Sequence, residues 1–287
     1  MSTNANKQDV LKKLDESIRY CNSHRDDSQI LFDQVVEAQI SACVGLANSG
    51  KLISDMKALF PILLSPDTVG FIPSITMKQD TLHCPPHEYL SIWFAHWVAK
   101  FVKAWESLPS ESVAKPKSAV TDRALMQMVL PHAGSREKAA EWVKCHNLLM
   151  SAENVGGSLL EEYIASKISQ YGWIWCRGQV LTAVDFCNLD CTAFIQIKNK
   201  SNTENSSGKG FREDRKAPVW FRMYAERKNG KIVTRWPELI EIVRQGATVD
   251  KGQIQDNLLT EDEYLNFVKR VSENNPMLIT EKEKGEM

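Results

Sequence analysis

Apolar residues recur at helical spacing through the first half of the chain. The pattern predicts helices over residues 9–21, 29–48, 87–105 and 135–151, and a separate helix that begins after Gly156-Gly157. Six aromatic residues line the third of these helices, and such residues at helical spacing are typical of a core rather than of a base-stacking surface. Five prolines between residues 60 and 86 predict a loop with short elements.

The second half changes to short apolar runs that are typical of strands. These runs occupy residues 173–176, 180–186, 193–198 and 219–225, and helical segments follow at residues 237–245 and 260–272. The order predicts an α/β (α+β) core with one mixed central sheet flanked by helices, preceded by a helical N-terminal region. We therefore divide the chain into residues 1–150 and residues 151–287.

Two of the predicted strands carry polar residues in matching positions. Apolar residues flank both Asp185 and Gln196, and Lys198 follows two residues after Gln196. If both runs are strands, alternation buries the flanking residues and places Asp185, Gln196 and Lys198 on one common side. The flanking residues are Val184, Phe186, Ile195 and Ile197.

Two oxygen ligands beside an ammonium group form a small site for a hard cation and a phosphate. We expect Mg²⁺ as the cation, held by the carboxylate of Asp185 and the side-chain carbonyl of Gln196. Lys198 would stabilise charge on an attacked phosphate or help to deprotonate a water nucleophile. The pair Glu161-Glu162 offers a third carboxylate, and the helical spacing favours Glu161, because it lies nearer the edge of the buried face. The spacing alone is weak support, since each of these residues is also typical of a protein surface.

A dense row of short polar residues follows Lys198 and continues into a basic stretch. Residues 199–235 carry ten Lys and Arg against four Asp and Glu, a net charge of +6, so the rest of the chain carries −7. The polar row suits a loop that hydrogen-bonds base edges and phosphates, although an ordinary turn has the same composition. Arg and Lys also read guanine. The candidate DNA contacts are Asn199, Lys200, Ser201, Asn202, Glu204, Asn205, Ser206, Ser207, Lys209, Arg212 and Arg222.

The overall composition is that of an ordinary globular protein, with 43% hydrophobic residues and a net charge of −1. A net charge near zero argues against a wholly basic nucleic-acid binder. The seven Cys are scattered and odd in number, which favours reduced thiols over disulfides. The polar N-terminus and the lack of a long apolar run predict a cytoplasmic protein with no signal peptide and no membrane partner.

A zinc site is the main alternative chemistry. One half-motif is present in His83-Cys84 and His87, and thiolates are available from Cys176, Cys187 and Cys191. A structural zinc site normally shows two paired half-motifs, and no convincing second pair is present. Zinc is therefore disfavoured.

Five segments occur in an order that resembles a known family. They read GGSLLEEYIA, YGWIWCRGQ, AVDFC, IQIKNKSNTENSS and VWFRM, and the match covers about residues 152–236, nearly a third of the chain. Together they resemble type II restriction endonucleases of the SinI group, within the PD-(D/E)XK nuclease superfamily. The resemblance implies that Asp185, Gln196 and Lys198 are the metal and catalytic positions and that Glu161 assists.

Two departures from the pattern of this family bear on its implications. Gln196 replaces the usual acid of the superfamily, so metal affinity leans more on Asp185 and Glu161. The run after the paired serines reads GKGFRED rather than further serines, which leaves the individual DNA contacts there open.

The resemblance implies a homodimeric, Mg²⁺-dependent endonuclease that cuts duplex DNA at a short palindromic, G/C-flanked site of the GGWCC or GGNCC kind. A cognate DNA methyltransferase would be its functional, not physical, partner in a bacterial cytoplasm. Residues 151–287 would form the PD-(D/E)XK-like catalytic core, and residues 1–150 would serve dimerisation, DNA clamping or support. Two alternatives stay open: a catalytically inactive or repair-type DNA-binding protein of the same fold, and a nuclease that acts on RNA or on repair intermediates.

Overall fold

The computed structural model describes residues 3–24, 27–43, 46–113, 123–200, 217–225 and 232–279. Within these ranges the chain forms eight α-helices and five β-strands, which confirms the predicted α/β class with a helical N-terminal region. The helices are α1 Lys7–Ser23, α2 Ser28–Ser41, α3 Ser49–Ala58, α4 Pro86–Trp105, α5 Arg123–Ala133, α6 Arg136–Ile168, α7 Trp236–Gly246 and α8 Glu261–Asn274. The strands are β1 Trp173–Trp175, β2 Phe186–Asn188, β3 Phe194–Lys200, β4 Val219–Ala225 and β5 Ile232–Thr234.

The five strands form one mixed sheet in the order β1-β2-β3-β4-β5. Antiparallel pairs join β1 to β2, β2 to β3 and β4 to β5, while β3 and β4 run parallel. In this register Phe186 of β2 pairs with Ile195 of β3, and Lys198 of β3 pairs with Phe221 of β4. The central strand β3, which carries the candidate catalytic residues Gln196 and Lys198, is therefore held from both sides. Strand β5 was not predicted from the sequence.

Helix α4 is the centre of the N-terminal helical region. Pro86 occupies its first turn, where a missing backbone N–H costs no helical hydrogen bond. The side chains of Trp93, Phe94 and Trp97 have no exposed surface, and α1 and α2 pack against this helix. The prediction that these aromatic residues form core is confirmed.

The helix predicted over residues 29–48 is shorter than expected. Helix α2 ends at Ser41, and Ser49-Gly50 begins α3 instead of ending a helix. Asn48, directly before α3, has a left-handed backbone with φ of 55°, which a continuous α-helix does not contain. The predicted loop over residues 60–86 is confirmed, with three short 3₁₀ helices along it.

The strand predicted over residues 180–186 is wrong except at its end, where Phe186 enters β2. Ala183 has φ of 55°, which interrupts an extended backbone. The indole Nε1 of Trp97 donates a hydrogen bond to the carbonyl of Val180 at 2.8 Å. Packing against α4, rather than pairing in the sheet, therefore fixes this segment.

The two helices predicted on either side of Gly156-Gly157 are one continuous helix, α6. A glycine in a helix interior costs about 1 kcal/mol relative to alanine. Tertiary contacts oppose that cost: Leu159 packs in a buried cluster with Val271 and Leu278, and the hydroxyl of Tyr264 donates to the carbonyl of Gly156 at 3.3 Å. The predicted break at the glycines is therefore wrong.

The chain divides into two compact units. The first comprises Met1–Glu106 and Lys167–Leu258, with α1 to α4, the five strands and α7. The second comprises Ser107–Ser166 and Leu259–Met287, with α5, most of α6 and α8. The boundary predicted after residue 150 falls inside α6, so the units are made of interleaved stretches of sequence. Among the described helices, none combines the length and apolar character that a membrane crossing needs.

Candidate active site

Asp185 lies where the irregular segment enters β2, and two hydrogen bonds fix its position. Its backbone N–H donates to the carbonyl of Ile195 at 2.8 Å, and its carboxylate Oδ2 accepts from the N–H of Ile197 at 2.6 Å. Because these two partners flank Gln196 on β3, the carboxylate of Asp185 lies beside Gln196. A side-chain oxygen thus takes the place of a backbone carbonyl between the two strands.

Alternation along β3 separates its side chains as predicted. Ile195 and Ile197 are buried, whereas Gln196 is partly exposed and Lys198 is exposed. Residues two apart on a strand share a face, so Gln196 and Lys198 lie on the same side of the sheet. The structure therefore brings Asp185, Gln196 and Lys198 together.

The carboxyl group of Asp185 is in an environment that disfavours its charge. Burial raises its pKa above the ordinary value, and the N–H of Ile197 and the positive charge of Lys198 act in the opposite direction without cancelling the effect. Perturbed carboxyl groups of this kind are frequent at functional sites. A cation bound to the carboxylate would stabilise its charged form and so remove the penalty.

The oxygen donors on this face suit a hard divalent cation. Within the described part of the chain, Oδ1 of Asp185 accepts no hydrogen bond, so one carboxylate oxygen remains for a ligand. The side-chain oxygen of Gln196, beside the Asp185 carboxylate, offers a second oxygen ligand for a metal ion. Mg²⁺ keeps several of its waters and takes only one or two carboxylates from a protein. The residues therefore fit this ion, although the described ranges hold no group of three His, Cys, Asp or Glu side chains suited to a metal.

The two glutamates of α6 have different surroundings. The carboxylate of Glu162 is buried and accepts from the backbone N–H of Ser110 at 2.8 Å and from its hydroxyl at 2.6 Å. Glu161 is partly exposed. A partner distant in sequence therefore holds Glu162 inside the second unit, whereas Glu161 lies at the edge of the buried face. Glu161 also lies in that unit, and its assisting role stays a prediction.

Three of the eleven predicted DNA contacts lie in the described ranges, and they divide between the two faces of the sheet. Lys200 is exposed and continues the face of Lys198. Arg222 is 7% exposed, and its Nε donates to Oδ1 of Asn199 at 2.7 Å, which joins β4 to β3 on the opposite face. The others lie outside the described residues: Ser201, Asn202, Glu204, Asn205, Ser206, Ser207, Lys209 and Arg212.

Sequence reasoning missed the contacts that hold the site in place. The hydrogen bond from Ile197 to Asp185 uses a backbone donor, which no side-chain pattern indicates. The bond from Trp97 to Val180 joins residues 83 positions apart. The inward position of Asn199, by contrast, had a signal, because alternation places it on the side opposite its neighbour Lys198.

Comparison with known proteins places this sheet within a family match. The sequence profile of the family described as SinI restriction endonuclease matches residues 98–270, which include Asp185, Gln196 and Lys198. The type II restriction enzyme Eco47I of Escherichia coli is 36% identical over 128 residues, which cover 43% of this chain and 49% of that enzyme. The type II restriction enzyme SinI of Salmonella infantis is 34% identical over 128 residues, with the same coverage. The chain thus spans about half the length of these curated relatives.

Proposed function

Because the chain belongs to the SinI restriction endonuclease family, we propose that it is a type II restriction endonuclease. It hydrolyses phosphodiester bonds in duplex DNA at a short palindromic, G/C-flanked site of the GGWCC or GGNCC kind. The observation that carries the proposal is the hydrogen bond from Ile197 to Asp185, which holds a carboxylate beside Gln196 and near Lys198. The fold is then a PD-(D/E)XK nuclease core with glutamine at the position of its usual second acid.

Each residue of the site has a distinct chemical role in this proposal. Asp185 and the side-chain oxygen of Gln196 hold Mg²⁺, and Glu161 is the further carboxylate that the family pattern predicts. When bound, the ion supplies a water of lowered pKa and neutralises charge on the phosphate. Lys198 donates hydrogen bonds to the attacked phosphate and stabilises the negative charge that develops there.

Duplex DNA is the proposed partner. The net charge of +6 over residues 199–235 supports it, because neutralisation of phosphates supplies much of the affinity for DNA. A palindromic site also calls for a two-fold dimer. A cognate DNA methyltransferase would protect the host sites, and both enzymes would act in a bacterial cytoplasm.

Digestion of a long, fully sequenced DNA in Mg²⁺, followed by sequencing of the fragment ends, tests the proposal. We expect discrete fragments whose ends share one short palindrome. Asp185→Ala and Lys198→Ala should each abolish cutting and leave DNA binding largely intact. Lys12→Ala, at an exposed lysine of α1, is the matched control and should still cut. Near-normal cleavage by either of the first two variants would remove that residue from the active site.

The glutamine at position 196 favours a second candidate, a DNA-binding protein of the same fold that lacks catalysis. Specific binding to a palindrome without cleavage in Mg²⁺ or Mn²⁺ would establish it. Gln196→Glu separates the candidates further, since it provides a second acidic ligand. In an active enzyme it should lower the Mg²⁺ concentration needed for cutting, whereas in an inactive protein it should create cutting where none existed.

A further inference from the structure

One face of α6, in the second unit, presents apolar side chains to solvent. Trp142 and Leu149 are 42% and 65% exposed, and seven residues separate them, so they lie about two turns apart on one side of the helix. Cys145 lies between them and is also exposed. Aromatic and aliphatic side chains in an exposed row are typical of a protein–protein contact rather than of a solvated surface.

Charged residues of opposite sign end this row. Lys138 lies four residues before Trp142, and Glu153 lies four residues after Leu149. The ammonium of Lys138 lies 5.9 Å from the centre of the Trp142 ring, so its charge sits at the border of the apolar row. We call this face the α6 stripe; its residues are Lys138, Trp142, Cys145, His146, Leu149 and Glu153.

The α6 stripe is complementary to itself in the antiparallel direction. A two-fold axis between Cys145 and His146 places Trp142 opposite Leu149 of the partner subunit and Lys138 opposite Glu153 of the partner subunit. Within one chain the two charged residues are about 22 Å apart along the helix, at 1.5 Å per residue. A pair between Lys138 and Glu153 therefore needs two copies of the chain.

We propose that the α6 stripe is the centre of a two-fold interface with a second copy of this chain, in which the two α6 helices pack antiparallel. The proposal rests on the proposed function, because a palindromic DNA site is read by a two-fold dimer. It assigns the dimerisation expected of residues 1–150 to one helix. A stable interface buries at least about 1,000 Å², and Met150, 45% exposed on the same helix, adds to the apolar area.

Sedimentation equilibrium of the full-length protein tests the interface without reference to cleavage. Trp142→Asp and Leu149→Asp should each weaken self-association by at least about tenfold, because the two-fold axis makes every substitution act twice. Ile30→Asp is the matched control, since Ile30 is 57% exposed on α2, and it should leave association unchanged. A dimer that tolerates both aspartates at the stripe would overturn the interface.

Charge reversal tests the register. Lys138→Glu and Glu153→Lys each place like charges opposite one another and should weaken the dimer by about tenfold. The double variant restores opposite charges in both pairs and should recover the wild-type dimer. A double variant weaker than either single variant would overturn the antiparallel register.

The outcome for this interface is separable from the outcome for the proposed function. Wild-type protein that forms this dimer but does not cut DNA would remove the proposed function and leave the interface standing. Wild-type protein that cuts at a palindrome while it sediments as a monomer, with and without DNA, would remove the interface and leave the function standing.

Discussion

Ionisation of Asp185 opposes folding, because burial raises the pKa of its carboxyl in the folded state. The folded protein therefore holds this proton more tightly than the unfolded chain does. The free energy of unfolding falls as the pH rises from the ordinary carboxyl pKa of 3.8 through the raised pKa of the folded state, and it stays lower above that window. This cost to stability supports the catalytic role proposed for Asp185.

Asp185→Asn should raise the Tm of the metal-free protein at neutral pH while it abolishes cleavage. The amide carries no charge to bury, and its oxygen can still accept from the N–H of Ile197. The gain in Tm should grow with pH through the window described above, which thermal unfolding in a chelator measures. Asp190→Asn, at an exposed aspartate of the β2–β3 turn, is the control and should leave Tm unchanged. A lower Tm for Asp185→Asn would show that the charge stabilises the fold.

The buried guanidinium of Arg222 favours a positioning role over base reading. Arg222→Met should lower the free energy of unfolding by about 1–3 kcal/mol, because Asn199 loses its donor inside the sheet. Lys200→Met, on the exposed face, should instead leave stability unchanged and weaken DNA binding. Urea unfolding and binding titrations measure both quantities. Normal stability of Arg222→Met with lost discrimination at a G·C pair would restore its predicted role as a guanine reader.

At the scale of elements, the candidate site depends on how helix α4 holds the segment before β2. Trp97 is fully buried in α4, and its indole bonds the carbonyl of Val180 five residues before Asp185. That bond satisfies a backbone group that the sheet does not reach. The position of the Asp185 carboxylate is thus set from two sides, by α4 through this segment and by β3 through the N–H of Ile197.

Two tryptophans of α4 allow a matched test of this connection. Both Trp93 and Trp97 are fully buried, but the indole Nε1 of Trp93 has no hydrogen-bond partner within the described residues. Trp97→Phe should therefore cost about 1–3 kcal/mol more than Trp93→Phe in the free energy of unfolding, because it leaves the carbonyl of Val180 unsatisfied. Denaturant unfolding gives both values. Equal losses would mean that the ring volume alone matters at both positions.

At the scale of the whole molecule, charge is distributed unevenly. Residues 199–235 carry +6 in a chain whose net charge is −1. DNA affinity should therefore depend on this stretch, since the remainder of the chain repels phosphate. The basic stretch begins at the end of the strand that carries Lys198.

Lys209→Ala and Arg212→Ala should each weaken DNA binding and reduce its dependence on salt. Each lost phosphate contact lowers the slope of log affinity against log salt by about 0.9, because one fewer set of counterions is released. Lys269→Ala, at an exposed lysine of α8, is the control and should leave the slope unchanged. A constant slope in either of the first two variants would exclude that residue as a phosphate contact.

The sequence by itself determined the class of the fold and the face on which the candidate residues lie. The alternation of apolar and polar residues around Gln196 predicts which side of β3 is buried, because side chains on a strand point to opposite faces in turn. The helical spacing of the aromatic residues in α4 likewise predicts that they are buried, because it places them on one face of the helix. Asp185, Gln196 and Lys198 could be grouped from these patterns alone.

Tertiary structure decided the features that depend on partners distant in sequence. Ser110 holds Glu162 inside, Trp97 draws Val180 away from the sheet, and Tyr264 bonds the backbone at Gly156 within a continuous helix. In the last two of these regions local propensity predicted the opposite, a strand over residues 180–186 and a helix break at the glycines. Packing and hydrogen bonds outweigh differences of about 1 kcal/mol per residue. The bond between Asn199 and Arg222 has the same origin, since it joins two strands that only the folded sheet places side by side.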